Sequence, residues 1–209
     1  DNYNLEKIML DVGCALAEIK EHSFSKSGFF DKDLNIKKGD DQDNYLCFAK
    51  KCLKNQNTLS LLGAKTVYQL NYFFDQYSNW LPDSSASFLV HGDFDPANIL
   101  FNKKEGVWQL SGVLDWEFSF SGSFLCDIAN MLRYSHKMPT IFEKSFLRGF
   151  QESGGFLPKN WKLSIHLLNI ISLLDCLLRS DPIKRPKQLL DIKNLIHYIL
   201  GCLHLIKLV

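Results

Sequence analysis

Val90-His91-Gly92-Asp93-Phe94-Asp95-Pro96-Ala97-Asn98-Ile99-Leu100 is the stretch on which the reading of this chain turns. Phe88-Leu89-Val90 leads into it and Ile99-Leu100-Phe101 leaves it, both short apolar runs with strand character. A third such run, 107–114, follows the turn-like Asn102-Lys103-Lys104-Glu105-Gly106. A polar loop is therefore tied to a strand at each end, inside a small β cluster. Outward from it the texture is helical. Leu5, Ile8, Met9, Val12, Ala15, Leu16 and Ile19 recur at three-and-four spacing and predict an amphipathic helix. Residues 23–44 lose that periodicity and predict a long surface loop ending in the acidic Asp40-Asp41-Gln42-Asp43, with no strand before Ser87. Helical spacing resumes at Tyr45 and runs through Leu62 to Tyr77, until Pro82 and Asp83 break it. Beyond Gly122 it returns in Ile128, Met131 and Leu132, then in Phe142, Phe146 and Phe150, and two last helices are predicted over 161–180 and 187–207.

The chain has 209 residues, 46% of them hydrophobic, enough for a well-filled core. Its 24 Lys and Arg against 23 Asp and Glu leave a net charge of +1, without the one-signed field that nucleic-acid and membrane-surface binders use. Six cysteines without a C-x-x-C pair predict buried free thiols in a reducing, cytoplasmic setting. Residues 165–178 and 195–209 are strongly apolar, but His166, Asn169, Ser172 and Asp175 interrupt the first, and His197, His204 and Lys207 the second. Both are expected to be core helices, not membrane spans.

The chemistry sits in the loop. His-x-Asp-x-x-x-x-Asn between two strands is the spacing of a kinase catalytic loop, in which the Asp receives the proton of the attacking hydroxyl and the Asn holds a metal ion. Anchored strands can fix a carboxylate and an amide oxygen a few ångströms apart before substrate arrives. A second metal carboxylate is also required, and Asp115 stands at the end of the third run as Asp115-Trp116-Glu117. His91, directly after an apolar strand, suits a buried hydrogen-bonded support of the loop. Asp95 before Pro96 suits a turn start as well as an assisting carboxylate.

The same run, with Gly112-Val113-Leu114-Asp115-Trp116-Glu117, Gly122 and Asp127-Ile128-Ala129-Asn130, resembles the aminoglycoside phosphotransferase and choline kinase superfamily. That resemblance implies an α+β, mainly helical fold, the C-terminal lobe of a protein-kinase-like architecture with a small β cluster carrying the catalytic loop. It divides the chain into a helical part at 1–86, catalytic and metal loops at 87–122, and a helical substrate subdomain at 123–209. Asp93 would be the catalytic residue, Asn98 and Asp115 the Mg²⁺ ligands, and His91, Gly92 and Asp127 the loop supports. Asp127 would equally suit a helix N-terminus, where acids are favoured. Glu117 and Asp95 are possible residues on the substrate side. The implied activity is transfer of the γ-phosphate of ATP, or of another nucleoside triphosphate, to a hydroxyl of an aminoglycoside-, choline- or sugar-like molecule.

The resemblance also implies an N-terminal lobe with a phosphate-covering glycine loop and an ATP-orienting lysine. Neither G-x-G-x-x-G nor a V-A-I-K-like strand occurs here, so the chain is expected to be the C-terminal lobe alone, weak or inactive without its missing partner lobe. Two other readings stay open: a non-catalytic kinase-like binding module, and a metal-dependent hydrolase using His91, Asp93 and Asp95. For a polycationic acceptor, Asp175, Asp181 and Asp191 are candidate acids.

Overall fold

Two glycines let the first helix approach a later one more closely than side chains allow. In the computed structural model, which describes residues 2–37, 44–83 and 85–206, α1 (Asn2–Glu21) packs on α6 (Thr140–Glu152). A Cβ on Gly13 would lie 2.0 Å from the Phe146 carbonyl oxygen, and one on Gly149 would lie 2.1 Å from that of Leu10. The helices therefore touch backbone to backbone, and Cys14 Sγ donates to the Gly149 carbonyl across the contact (3.6 Å). Met9, Val12, Leu16 and Ala17 on α1 and Phe142, Phe146 and Phe150 on α6 are buried around it, as the periodicity predicts.

The described residues form two compact units. The first takes residues 2–37 and 83–159 and contains α1, α6, α5 (Leu125–Leu132) and all the strands. The second takes residues 44–82 and 160–206 and is wholly helical: α2 (Tyr45–Lys54), α3 (Gln56–Leu62), α4 (Ala64–Tyr77), α7 (Trp161–Arg179) and α8 (Pro186–Ile206).

Strand pairing corrects the expectation of a loop over 23–44. Gly28–Phe29 forms β1, which pairs antiparallel with β5 (Phe120–Gly122), and β5 pairs antiparallel with β2 (Phe88–Val90). Ser23 bridges Phe88, Phe24 N–H donates to the Ser87 carbonyl, Leu89 N–H to that of His22, and Ser121 Oγ to that of Lys26. A two-residue strand has no room for alternation, so its hydrogen bonds are invisible in the sequence pattern. The acidic run at 40–43 lies outside the described residues.

The β cluster is two sheets. Among the described residues β3 (Ile99–Lys104) pairs only with β4 (Val107–Val113), with an irregularity at Leu100/Phe101. The expected five-residue turn shrinks to Glu105-Gly106, with φ of 52° and 85°, because two consecutive left-handed residues close a two-residue hairpin. β2 and β3, the strands flanking the 91–98 loop, thus belong to different sheets.

In the helical unit the continuous pattern of 45–77 breaks twice. Asn44 caps α2 by accepting from the Leu46 and Cys47 N–H groups. Asn55 ends α2 and starts α3, accepting from Asn57 N–H, and Gly63, at φ 80°, joins α3 to α4. α7 is long and apolar enough to cross a membrane by length and composition, but 61% of that window is buried inside the protein, the condition of a core helix. None of the six cysteines is in a disulfide, yet among them only Cys52 is fully buried and Cys47 is exposed, which corrects the expectation of six buried thiols. Burial, aided by the charge of Asp175, pushes the Cys52 thiol up to about 11.

Candidate active site

His91 opens the loop as a hub rather than as a reactive group. It is fully buried, with its ring 4.6 Å from that of Trp116 and 5.9 Å from that of Phe94. Its Nε2 lies 2.8 Å from the Leu114 carbonyl, which can only accept, so Nε2 carries the proton. Asp93 N–H donates to Nδ1 at 3.2 Å, so that nitrogen is the acceptor of a neutral imidazole. Burial lowers the His91 pKa, against the Leu114 hydrogen bond and the charges of Asp93 and Asp115, which raise it. One ring therefore joins the 91–98 loop to the segment at Asp115. Both ring nitrogens are thus engaged within the protein.

Gly92 follows at φ 83°, a conformation that L side chains rarely adopt, and a Cβ there would lie 2.3 Å from the Phe118 carbonyl oxygen. Its N–H donates to Asp127 Oδ1 at 2.9 Å, while His91 N–H donates to Oδ2 of the same carboxylate at 2.8 Å. Asp127 is completely buried in the first turn of α5, and that burial, together with the charge of Asp93, pushes it up to about 7 against the two N–H donors.

Asp93 is half-buried. Asn98 Nδ2 donates both to its backbone carbonyl (2.9 Å) and to its carboxylate Oδ2 (3.1 Å). These bonds identify the amide nitrogen of Asn98, so the remaining Oδ1 is its donor atom for a cation. Asp95 accepts from Ala97 N–H at 2.9 Å and caps the single 3-10 turn Pro96–Asn98, the turn role its place before Pro96 allows. Leu114 N–H donates to the Asn98 carbonyl at 2.8 Å, a second tie between the loop and the Asp115 segment.

Asp115 is exposed and left-handed, at φ 66° and ψ 63°, just past β4. Trp116–Phe118 then form a 3-10 turn in which Trp116 Nε1 donates to the Val113 carbonyl, and Glu117 on that turn is exposed. Asp93, Asn98 and Asp115 thus share one neighbourhood built around His91. Asn98 Oδ1 and the Asp115 carboxylate are the hard oxygen donors that Mg²⁺ takes. Among the described residues no group of three or more His, Cys, Asp or Glu is placed to hold a metal ion.

Residues 8–163 match the profile of the phosphotransferase enzyme family. The chain belongs to the phosphotransferase enzyme family. Acyl-CoA dehydrogenase family member 11 of Mus musculus is 39% identical over 85 residues, covering 38% of this chain and 11% of that protein. Probable acyl-CoA dehydrogenase IBR3 of Arabidopsis thaliana is 31% identical over 70 residues, covering 34% of this chain and 8% of that protein. The chain thus spans about a tenth of the length of these curated relatives. Among solved structures, aminoglycoside phosphotransferase APH(4)-Ia superposes with a TM-score of 0.66 at 17% identity, over 96% of this chain and 66% of that one. A thermostable mutant of it, in ternary complex with ADP and hygromycin B, gives 0.62 over the same shares. The fold of this phosphotransferase-family chain is accordingly that of the matched 66% of the APH(4)-Ia chain.

Two of the three candidate substrate acids, Asp175 and Asp181, have local partners. Asp175 pairs with Arg179 one turn on, and Asp181 accepts from the Ile183 and Lys184 N–H groups and faces Lys184 Nζ at 3.7 Å. One buried polar residue beside the loop was missed: Asn130 on α5 donates from Nδ2 to the Gly92 carbonyl at 2.9 Å. Its signal was its place three residues after Asp127, on the same helix face.

Proposed function

We propose that this chain is the C-terminal lobe of an ATP-dependent kinase that phosphorylates a hydroxyl of a small molecule. The observation that carries the reading is the bracing of Asp93. Its N–H is held by His91, its carbonyl and carboxylate by Asn98, and its carboxylate is still half-open to an acceptor. A carboxylate held in this way orients the attacking hydroxyl and receives its proton, so that catalysis proceeds by positioning. Asn98 Oδ1 and Asp115 would hold Mg²⁺. When bound, Mg²⁺ supplies charge neutralisation at the nucleotide phosphates. The buried imidazole of His91 keeps the two segments together without exchanging protons at neutral pH.

The lobe assignment rests on length and fold: the chain spans 66% of the APH(4)-Ia chain. A lobe without an upper wall over the phosphates admits water and loses field strength, so the chain on its own is expected to turn over weakly. Six cysteines outside any disulfide fit a cytoplasmic setting. With Asp175 and Asp181 engaged locally, little supports a polycationic acceptor over a choline-like or sugar-like one.

The test is a coupled ADP-release assay on the full-length protein, screened across aminoglycosides, amino alcohols, sugars and, prompted by the names of the curated relatives, hydroxyacyl thioesters. Mg²⁺-dependent release stimulated by one class, and abolished in Asp93→Asn, is expected. Stimulated release that persists in Asp93→Asn contradicts the role given to Asp93.

A further inference from the structure

The peptide plane between Gly92 and Asp93 is gripped at both ends. Its carbonyl, on Gly92, accepts from Asn130 Nδ2 at 2.9 Å, and its N–H, on Asp93, donates to His91 Nδ1 at 3.2 Å. A planar peptide moves as one body, so these two bonds fix the direction in which the Asp93 Cα projects its carboxylate. The grip matters because Gly92, without a Cβ, resists rotation of that plane less than any other residue would.

Asn130 is itself held. It is 7% exposed, and its Oδ1 accepts from the Arg133 guanidinium, a group with donors only. Arg133 therefore selects the amide orientation in which Nδ2 faces the Gly92 carbonyl. Asp127 and Asn130, three residues apart on α5, divide the work. The carboxylate takes the N–H groups of His91 and Gly92, and the amide takes the Gly92 carbonyl.

We infer that Asn130 is a positioning residue for phosphoryl transfer, aiming Asp93 through the Gly92–Asp93 peptide, with Arg133 setting the orientation of its amide. The inference rests on the reading of Asp93 as the hydroxyl-orienting residue. Because the plane governs the angle of attack and not the nucleotide site, its loss lowers kcat and leaves KM for MgATP nearly unchanged.

Three substitutions in the full-length protein test it: Asn130→Ala, Asn130→Asp and Arg133→Met. Asn130→Asp is the sharpest, since a carboxylate keeps the acceptor for Arg133 and loses the donor to Gly92. Acceptor-stimulated ADP release is expected to fall about 10²-fold in kcat for both Asn130 variants, with KM for MgATP within about threefold. Arg133→Met is expected to lose less, about tenfold or under, since the amide keeps the option of facing the loop. A melting temperature that drops while kcat at low temperature stays at the wild-type value marks a merely structural residue and overturns the inference.

Amide hydrogen exchange gives a readout that needs no activity. The peptide covering residues 91–98 is expected to exchange faster in Asn130→Ala and Arg133→Met than in wild type, while α1 and α6 keep their rates. Unchanged exchange in that peptide also overturns the inference. Were the wild-type protein inactive towards every acceptor class, the kinase reading would fall, and exchange would still decide whether Asn130 holds the loop. If Asn130→Ala does not fold, Arg133→Met carries both measurements.

Discussion

Replacing Gly92 with alanine imposes two separable costs. The first is conformational: an L residue at φ 83° sits in the left-handed region, at about 1–2 kcal/mol. The second is steric: the new Cβ would lie 2.3 Å from the Phe118 carbonyl oxygen and 3.0 Å from its carbon, and overlap with backbone in a packed region costs about 1–3 kcal/mol. Together they remove about 2–5 kcal/mol, which for a chain of this size lowers Tm by roughly 4–20 °C. Gly106 provides the control, because it has nearly the same φ, 85°, and a Cβ there would meet nothing within 4 Å. Gly106→Ala therefore bears only the conformational cost, a Tm drop of roughly 2–8 °C. Differential scanning calorimetry of the two variants isolates the overlap. Relief of the overlap must move either Gly92 or the Trp116–Phe118 turn that follows Asp115, so Gly92→Ala is also expected to lose phosphotransfer at temperatures where it is still folded. Equal Tm values for the two variants would refute the close approach of the loop to that turn.

Other consequences are open to measurement. Gly13→Ala drives a Cβ to 2.0 Å from the Phe146 carbonyl oxygen and is expected to cost more than about 3 kcal/mol, or to prevent folding, by urea denaturation; a wild-type midpoint would refute the α1–α6 contact. Asp127 is pushed up to about 7 in the fold while an unfolded aspartate titrates near 3.9, so between those values the native state holds the extra proton and stability falls as pH rises, by up to about 1.4 kcal/mol per unit. Asp127→Asn is expected to remove that slope in urea titrations at pH 5 and 7.5, and parallel wild-type and variant curves would contradict it. His91 acts in the opposite sense: its pKa is lowered in the fold, so stability is lost as pH falls below about 6.5, and His91→Asn is expected to flatten that acid limb. Asp115→Asn keeps a residue type that tolerates the left-handed conformation but removes the charge, so it is expected to fold normally and to lose Mg²⁺-dependent nucleotide binding by calorimetry.

The loop and its helical surroundings were legible because their signals are local. Spacing marks Asp93 and Asn98, and three-and-four periodicity marks α1, α5 and α6. The misses share a cause: they depend on partners far along the chain. β1 exists only because Gly28 and Phe29 meet Ser121 and Phe120, and Asp127 left two roles open until its carboxylate was seen to accept from His91 and Gly92. Asn130 closes the Asp127-Ile128-Ala129-Asn130 run but takes its role from a carbonyl 38 residues earlier. The breaks at Asn55 and Gly63 differ, since a capping residue and a glycine stood in plain view, obscured by an apolar pattern that ran through them. Substrate identity leaves the weakest trace, because acids that could have declared it are engaged by neighbours such as Arg179.

Under the proposed function, Asp93 is the residue on which phosphotransfer depends. The most direct measurement follows the γ-phosphate of ATP in the full-length protein supplied with the acceptor class that stimulates it, comparing wild type with Asp93→Asn with and without Mg²⁺. One phosphorylated acceptor per ADP in wild type, absent without Mg²⁺ and reduced at least about 10²-fold in the variant at unchanged KM for ATP, is the predicted result. Transfer at the wild-type rate in Asp93→Asn, or without Mg²⁺, would contradict it.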